Sequence, residues 1–94
     1  MTSSDQQIII TVQGVDKIGI VAAVVNVLAK YEVNIEDIKQ TLMQGHFVMF
    51  MLCDISASQN SFKEIKEALT NKGAELNMEI WVQRKEIFDN MHNV

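Results

Sequence analysis

The sequence predicts an α+β domain of two layers, an antiparallel sheet with two helices on one face. Three observations predict it. Segments of two-residue period alternate with segments of helical period in the order β-α-β-β-α-β. The middle two strands are joined only by Gln44 and Gly45, the connection of a hairpin. The other connections are long enough to cross over, and right-handed crossovers interleave two β-α-β units into one sheet.

Each element has a local cause. Ile8 to Val12 is β-branched throughout and reads as the first strand, stopped by Gly14. Ile18 to Tyr31 is too long for one strand, and Val21, Val24, Val25 and Leu28 recur at helical spacing. Valine lowers helix propensity, so burial must supply much of that helix's stability. Glu32 to Met43 returns to strand character with Ile38, Gln40 and Leu42 on one face. Ile35 lies three residues before Ile38, an offset that a bulge near Glu36–Asp37 reconciles. His46 to Asp54 completes the hairpin, and Ser56 to Ser61 is a polar loop. Ser61 and Glu64 have the spacing of a capping box, opening a helix with Phe62, Ile65 and Leu69 on one stripe. Gly73 is placed at its C-terminus. Leu76, Met78, Ile80 and Val82 alternate as a fourth strand, and Ile87, Phe88 and Met91 give a terminal helix after Arg84. The arrangement is a ferredoxin-like two-layer sandwich with an extra C-terminal helix. Residues 1–6 are a disordered N-terminus, 7–83 the domain and 84–94 the helical tail.

Ninety-four residues, 48% of them apolar, suffice for one domain with its own core. A net charge of −4 argues against a phosphate-tracking surface, and no nucleic-acid partner is expected. Lys63, Lys66 and Lys72 alternate with Glu64 and Glu67 as a mixed solvated face. The single cysteine, Cys53, sits in an apolar run and reads as a buried small hydrophobe. MTSSDQQ has neither the basic nor the apolar region of a signal peptide, and no segment reads as a membrane span. A cytoplasmic protein is expected.

The third strand is apolar on both faces. Phe47, Met49, Met51 and Cys53 point one way, and Val48, Phe50 and Leu52 the other. A two-layer domain covers only one face, so the C-terminal helix, a second copy of the chain, or both must cover the second.

Catalytic and metal constellations are weak. His46 and His92 have no partner fixed by sequence, and no spacing resembles a zinc or calcium site, so no metal or cofactor is expected. Glu36 and Asp37 are strand neighbours and point to opposite faces. Phe47 and Phe50 likewise diverge, where an RNA-stacking platform needs aromatics on one face. The loop after the first strand remains. Gly14 and Gly19 flank Asp16 and Lys17, and the N–H groups around Ile18 to Val21 open the next helix without helical acceptors. They suit a carboxylate, and Asp16 or Lys17 could meet the other end of a small zwitterion. The alternative is punctuation, in which Asp16 caps the helix, Lys17 is solvated and Gly19 eases packing.

These residues resemble the ACT domain, a small regulatory module. Gly14, Asp16, Lys17, Gly19, Ile20 and Val21 match its G-x-D-[KR]-x-G-[IV]-[VL] block, and Asn34, Ile35, Asp37 and Ile38 match the N-I-x-D-I that opens its second strand. The resemblance implies a non-catalytic, allosteric, homodimeric domain that binds an amino acid or similar metabolite at the dimer interface. N–H groups near Gly19–Val21 would take the ligand carboxylate. Asn34, from the same or the partner subunit, would bond its polar head, with Ile35 and Asp37 beside it. ACT domains usually adjoin the enzyme or repressor they control, so this chain is expected to act in trans; the alternative is an interaction module acting in trans on a metabolic enzyme or repressor without a small ligand.

Overall fold

The computed structural model describes residues 6–15 and 18–92. The elements are β1 (Gln7–Val15), α1 (Ile20–Lys30), β2 (Asn34–Met43), β3 (His46–Asp54), α2 (Phe62–Leu76), β4 (Glu79–Arg84) and α3 (Lys85–His92). The four strands form one antiparallel sheet in the order β2-β3-β1-β4. The molecule is the ferredoxin-like sandwich expected, with α3 added.

The core lies between the sheet and α1 and α2. Ile8, Ile10 and Val12 of β1, Met49, Met51 and Cys53 of β3, Val24 and Leu28 of α1, and Ile65 and Leu69 of α2 are fully buried there. Burying such side chains stabilises by about 1.5–3 kcal/mol each, which offsets the poor helix propensity of a valine-rich α1. The capping box is formed: Glu64 N–H donates to Ser61 Oγ at 3.1 Å and Ser61 N–H donates to Glu64 Oε1 at 2.8 Å. The β2–β3 hairpin turns through Gln44 (φ 52°) and Gly45 (φ 80°), both left-handed as a two-residue type I′ turn requires. The register slips by one between Ile35 and Asp37, so Glu36 is the bulged residue.

Several boundaries differ from the sequence reading, those at Gly14 and Gly73 for packing reasons. Gly14 does not stop β1; it pairs with Phe47 inside the strand. A Cβ there would lie 2.5 Å from Met78 Sδ, so glycine admits the methionine rather than ending the strand. Gly73 does not end α2, which runs to Leu76 and closes on Asn77 in the left-handed conformation (φ 57°). Its missing Cβ lets β4 approach, since a Cβ would lie 2.9 Å from both Ile80 Cγ1 and the Met78 carbonyl oxygen. Leu76 consequently belongs to α2 and not to the fourth strand. The first helix starts at Ile20 rather than Ile18, with Gly19 (φ 88°) as its N-cap.

The second sheet face is partly covered by α3. Phe88 meets Phe50 edge-on with ring centroids 6.2 Å apart, and Gln83 Nε2 donates to Met91 Sδ at 3.2 Å. Arg84, where β4 meets α3, sets its guanidinium 4.4 Å over the Phe62 ring of α2. Trp81, Ile87 and Met91 remain exposed around this helix. No helix among the described residues is long and apolar enough to cross a membrane.

Candidate functional site at the seam between α1 and β2

Among the described residues no side chain caps the N-terminus of α1. Gly19 occupies the cap in a conformation that L side chains rarely adopt, and nothing lies within 4 Å of where its Cβ would be. The first intrahelical bond at this end runs from Ala23 N–H to the Gly19 carbonyl at 2.9 Å. The N–H groups of Ile20, Val21 and Ala22 therefore precede the helical ladder, two residues later than the sequence placed them. No acidic residue stands in that first turn, where one would offset the positive end of the helix dipole.

These residues border an open depression of about 530 Å³ between α1 and the sheet edge, lined by Gly19, Ile20, Val21, Ala22, Val25, Gln40 and Phe47. Its chemistry is simple. An anion-seeking helix end stands over mostly apolar walls, and one neutral amide, Gln40, faces it from the strand. Ala22, Val25, Gln40 and Phe47 escaped the sequence reading, because only the sheet register carries Gln40 and Phe47 to the helix end. Ile18 is fully exposed beside the depression and does not line it. Asp16 and Lys17 lie outside the described residues.

The second block of predicted residues is elsewhere. Asn34 pairs with Asp54, and Gly14 with Phe47, seven residues away along β3. At ~3.3 Å per residue that separates the two blocks by roughly 23 Å. Asn34 and Asp37 are exposed at the far end of the sheet edge, Ile35 is half-buried there, and Asp37 Oδ1 accepts a bond from Ile38 N–H at 2.9 Å. One chain therefore brings Gly19, Ile20 and Val21 to the depression but not Asn34, Ile35 or Asp37.

The environment of Cys53 does not favour a thiolate. Cys53 is buried, and its thiol is pushed up to about 12, first by loss of hydration and then by the charge of Glu36. Among the described residues no group of three or more His, Cys, Asp or Glu side chains is placed to hold a metal ion.

Comparison with known proteins bears on the family and the fold. Residues 6–83 match the family model for the ACT domain. A UPF0237 protein of Listeria innocua is 50% identical over 86 residues, covering 92% of this chain and 97% of its own. The solved structure of an ACT domain protein from Streptococcus pneumoniae superposes with a TM-score of 0.77 at 36% identity, over 88% of this chain and 93% of that one. At 23% identity, where the likeness is one of fold, the regulatory subunit of aspartate kinase from Thermus thermophilus gives a TM-score of 0.66 over 85% of this chain and 52% of its own. The chain belongs to the ACT domain family.

Proposed function

We propose that this chain is a non-catalytic sensing module that binds an amino acid or a similar small carboxylate between two of its copies. One observation carries the reading: the N-terminus of α1, with glycine at its cap and no acidic residue in its first turn, opens into an apolar depression at the sheet edge. A ligand carboxylate there accepts bonds from the Ile20, Val21 and Ala22 N–H groups, and its side chain rests on Val25 and Phe47. The polar residues that the family resemblance pairs with this helix end, Asn34 and Asp37, reach it only from a second copy, because within one chain they stand at the opposite end of the sheet. Ligand occupancy then favours one arrangement of the two copies, and that arrangement is the signal passed in trans to an enzyme or regulator.

The test is a thermal-shift screen of the purified chain against the amino acids and related carboxylates, with light scattering for mass. Binding to the folded state alone raises stability by ~2.7 kcal/mol at 100 times the dissociation constant. A dimer shifted by one or a few compounds supports sensing. A chain that ignores every compound favours the second reading, an interaction module docking through the exposed Trp81 and Met91 beside α3.

A further inference from the structure

We infer that the sheet face beneath α3 carries a separate small-molecule site, a cleft between Phe50 and Trp81 that takes a flat, uncharged aromatic heterocycle. This cleft owes nothing to the α1 depression, because it opens on the opposite face of the sheet.

The cleft is a product of register. Thr11 of β1 pairs with Phe50 of β3 on one side and with Trp81 of β4 on the other. All three therefore project away from α1 and α2, in one row across three strands. Neighbouring strands are ~4.8 Å apart, so the Cα atoms of the two aromatic residues stand ~9.6 Å apart with the small threonine between them. A planar ring stacked between two others needs ~7–8 Å, two carbon contacts of ~3.5–4.0 Å each. The row has room for one such ring and not for two. Phe88 and Met91 of α3 close the cleft from above, around a volume of about 250 Å³. That is below the ~300–1,000 Å³ of sites for drug-sized ligands and suits one ring or two fused rings. Thr11 at the floor is 6% exposed, whereas the indole of Trp81, at 52%, still has a face to offer.

The polar groups of the cleft set the ligand's chemistry. Among the described residues no charged side chain lines it; the Thr11 hydroxyl and the Gln13 and Gln83 amides do. A charge brought there would lose water without gaining a partner, which selects an uncharged ligand. Gln13 and Gln83 stand one row to either side of the aromatic row, where the polar edges of an inserted ring would emerge. Each amide offers both a donor and an acceptor, as a ring with carbonyl, amino or ring-nitrogen groups requires. Gln83 Nε2 meanwhile donates to Met91 Sδ at 3.2 Å, a weak acceptor that a ring nitrogen or carbonyl oxygen would better. Glu79, which accepts from Gln13 Nε2 at 3.3 Å, and the net charge of −4 work against a phosphorylated form of the same ring. A quaternary ammonium would also find aromatic faces here, but it would leave the hydroxyl and both amides without a bond.

Trp81 is the chain's single tryptophan, so its fluorescence reports on the cleft directly. Adenine, hypoxanthine, uracil and nicotinamide, all uncharged at pH 7, are titrated into the whole chain. At least one should quench the tryptophan saturably. Gln83→Leu, which keeps the stacking faces and removes an amide, should weaken that binding by up to ~10-fold. Trp81→Leu, a change at an exposed position, should fold and lose the thermal shift given by the same compound. Saturable quenching by none of the four overturns the site, as does binding that neither variant alters. Quenching by tetramethylammonium alone, or tighter binding of adenosine monophosphate than of adenine, overturns the uncharged flat ligand. A tryptophan shielded from acrylamide at high chain concentration and bared on dilution shows that a second copy fills the cleft, which also overturns the site.

Discussion

At the scale of single residues, two side chains and one missing side chain bear most of the local argument. Gly73 lies inside α2, where alanine would be the better helix former by ~1 kcal/mol. Its Cβ position is nevertheless 2.9 Å from the Met78 carbonyl oxygen, a backbone atom that cannot rotate aside. Gly73→Ala is expected to lower stability by about 1–3 kcal/mol, measured as the urea midpoint; a stabilised variant would show that β4 retreats freely. Cys53 gives a pH prediction. Its thiol stays protonated in the folded chain up to about 12 but ionises near its ordinary value of 9 when unfolded. Between those limits the folded state holds more protons, so stability falls as pH rises from 9 towards 12. Cys53→Ala should flatten that part of the stability–pH curve, and in the wild type a thiol reagent at pH 8 should label only the unfolded chain. Gln40 is the third residue: its register opposite Met49 brings it to the depression at the α1 N-terminus.

At the scale of elements, α1 divides packing and the proposed ligand contact between different residues. Val24 and Leu28 are buried, while Ile20 to Ala22 leave their N–H groups ahead of the ladder. These demands separate in the variant Ala22→Glu. Ala22 is exposed in the first turn, where an acidic side chain favours the helix by ~0.3–1 kcal/mol through the dipole. The same carboxylate competes for the N–H groups that a ligand carboxylate needs. Ala22→Glu is therefore expected to melt at or above the wild-type temperature and to lose the ligand-induced shift. Retention of the full shift would place the ligand elsewhere. At the other end of the chain, α3 lays Phe88 on Phe50 and partly covers the two-sided apolar strand that the sequence could not leave in water.

At the scale of the whole molecule, periodicity made the element order, the hairpin, the bulge and the two-faced β3 legible. Each of these is set by residues near one another in sequence. Gly14, Gly73 and Leu76 were misread because their roles depend on Met78 and Ile80, which arrive from other elements. The candidate site was half legible for the same reason. The loop block announces a helix end locally, whereas the distance to Asn34 exists only in the folded sheet. That distance yields a prediction that no single-chain site can satisfy. Ala22→Glu disables the helix end, and Asn34→Ala disables the strand block; each variant alone should lose ligand binding. In a mixed dimer that shares its sites, one site combines both lesions and the other combines the two intact halves. Unfolding and refolding the variants together at equal amounts makes half of the dimers mixed, so about one quarter of wild-type binding capacity should return, read by calorimetric stoichiometry. If each chain held its own site, mixing would restore nothing, and the two blocks would have to act independently at opposite ends of the sheet.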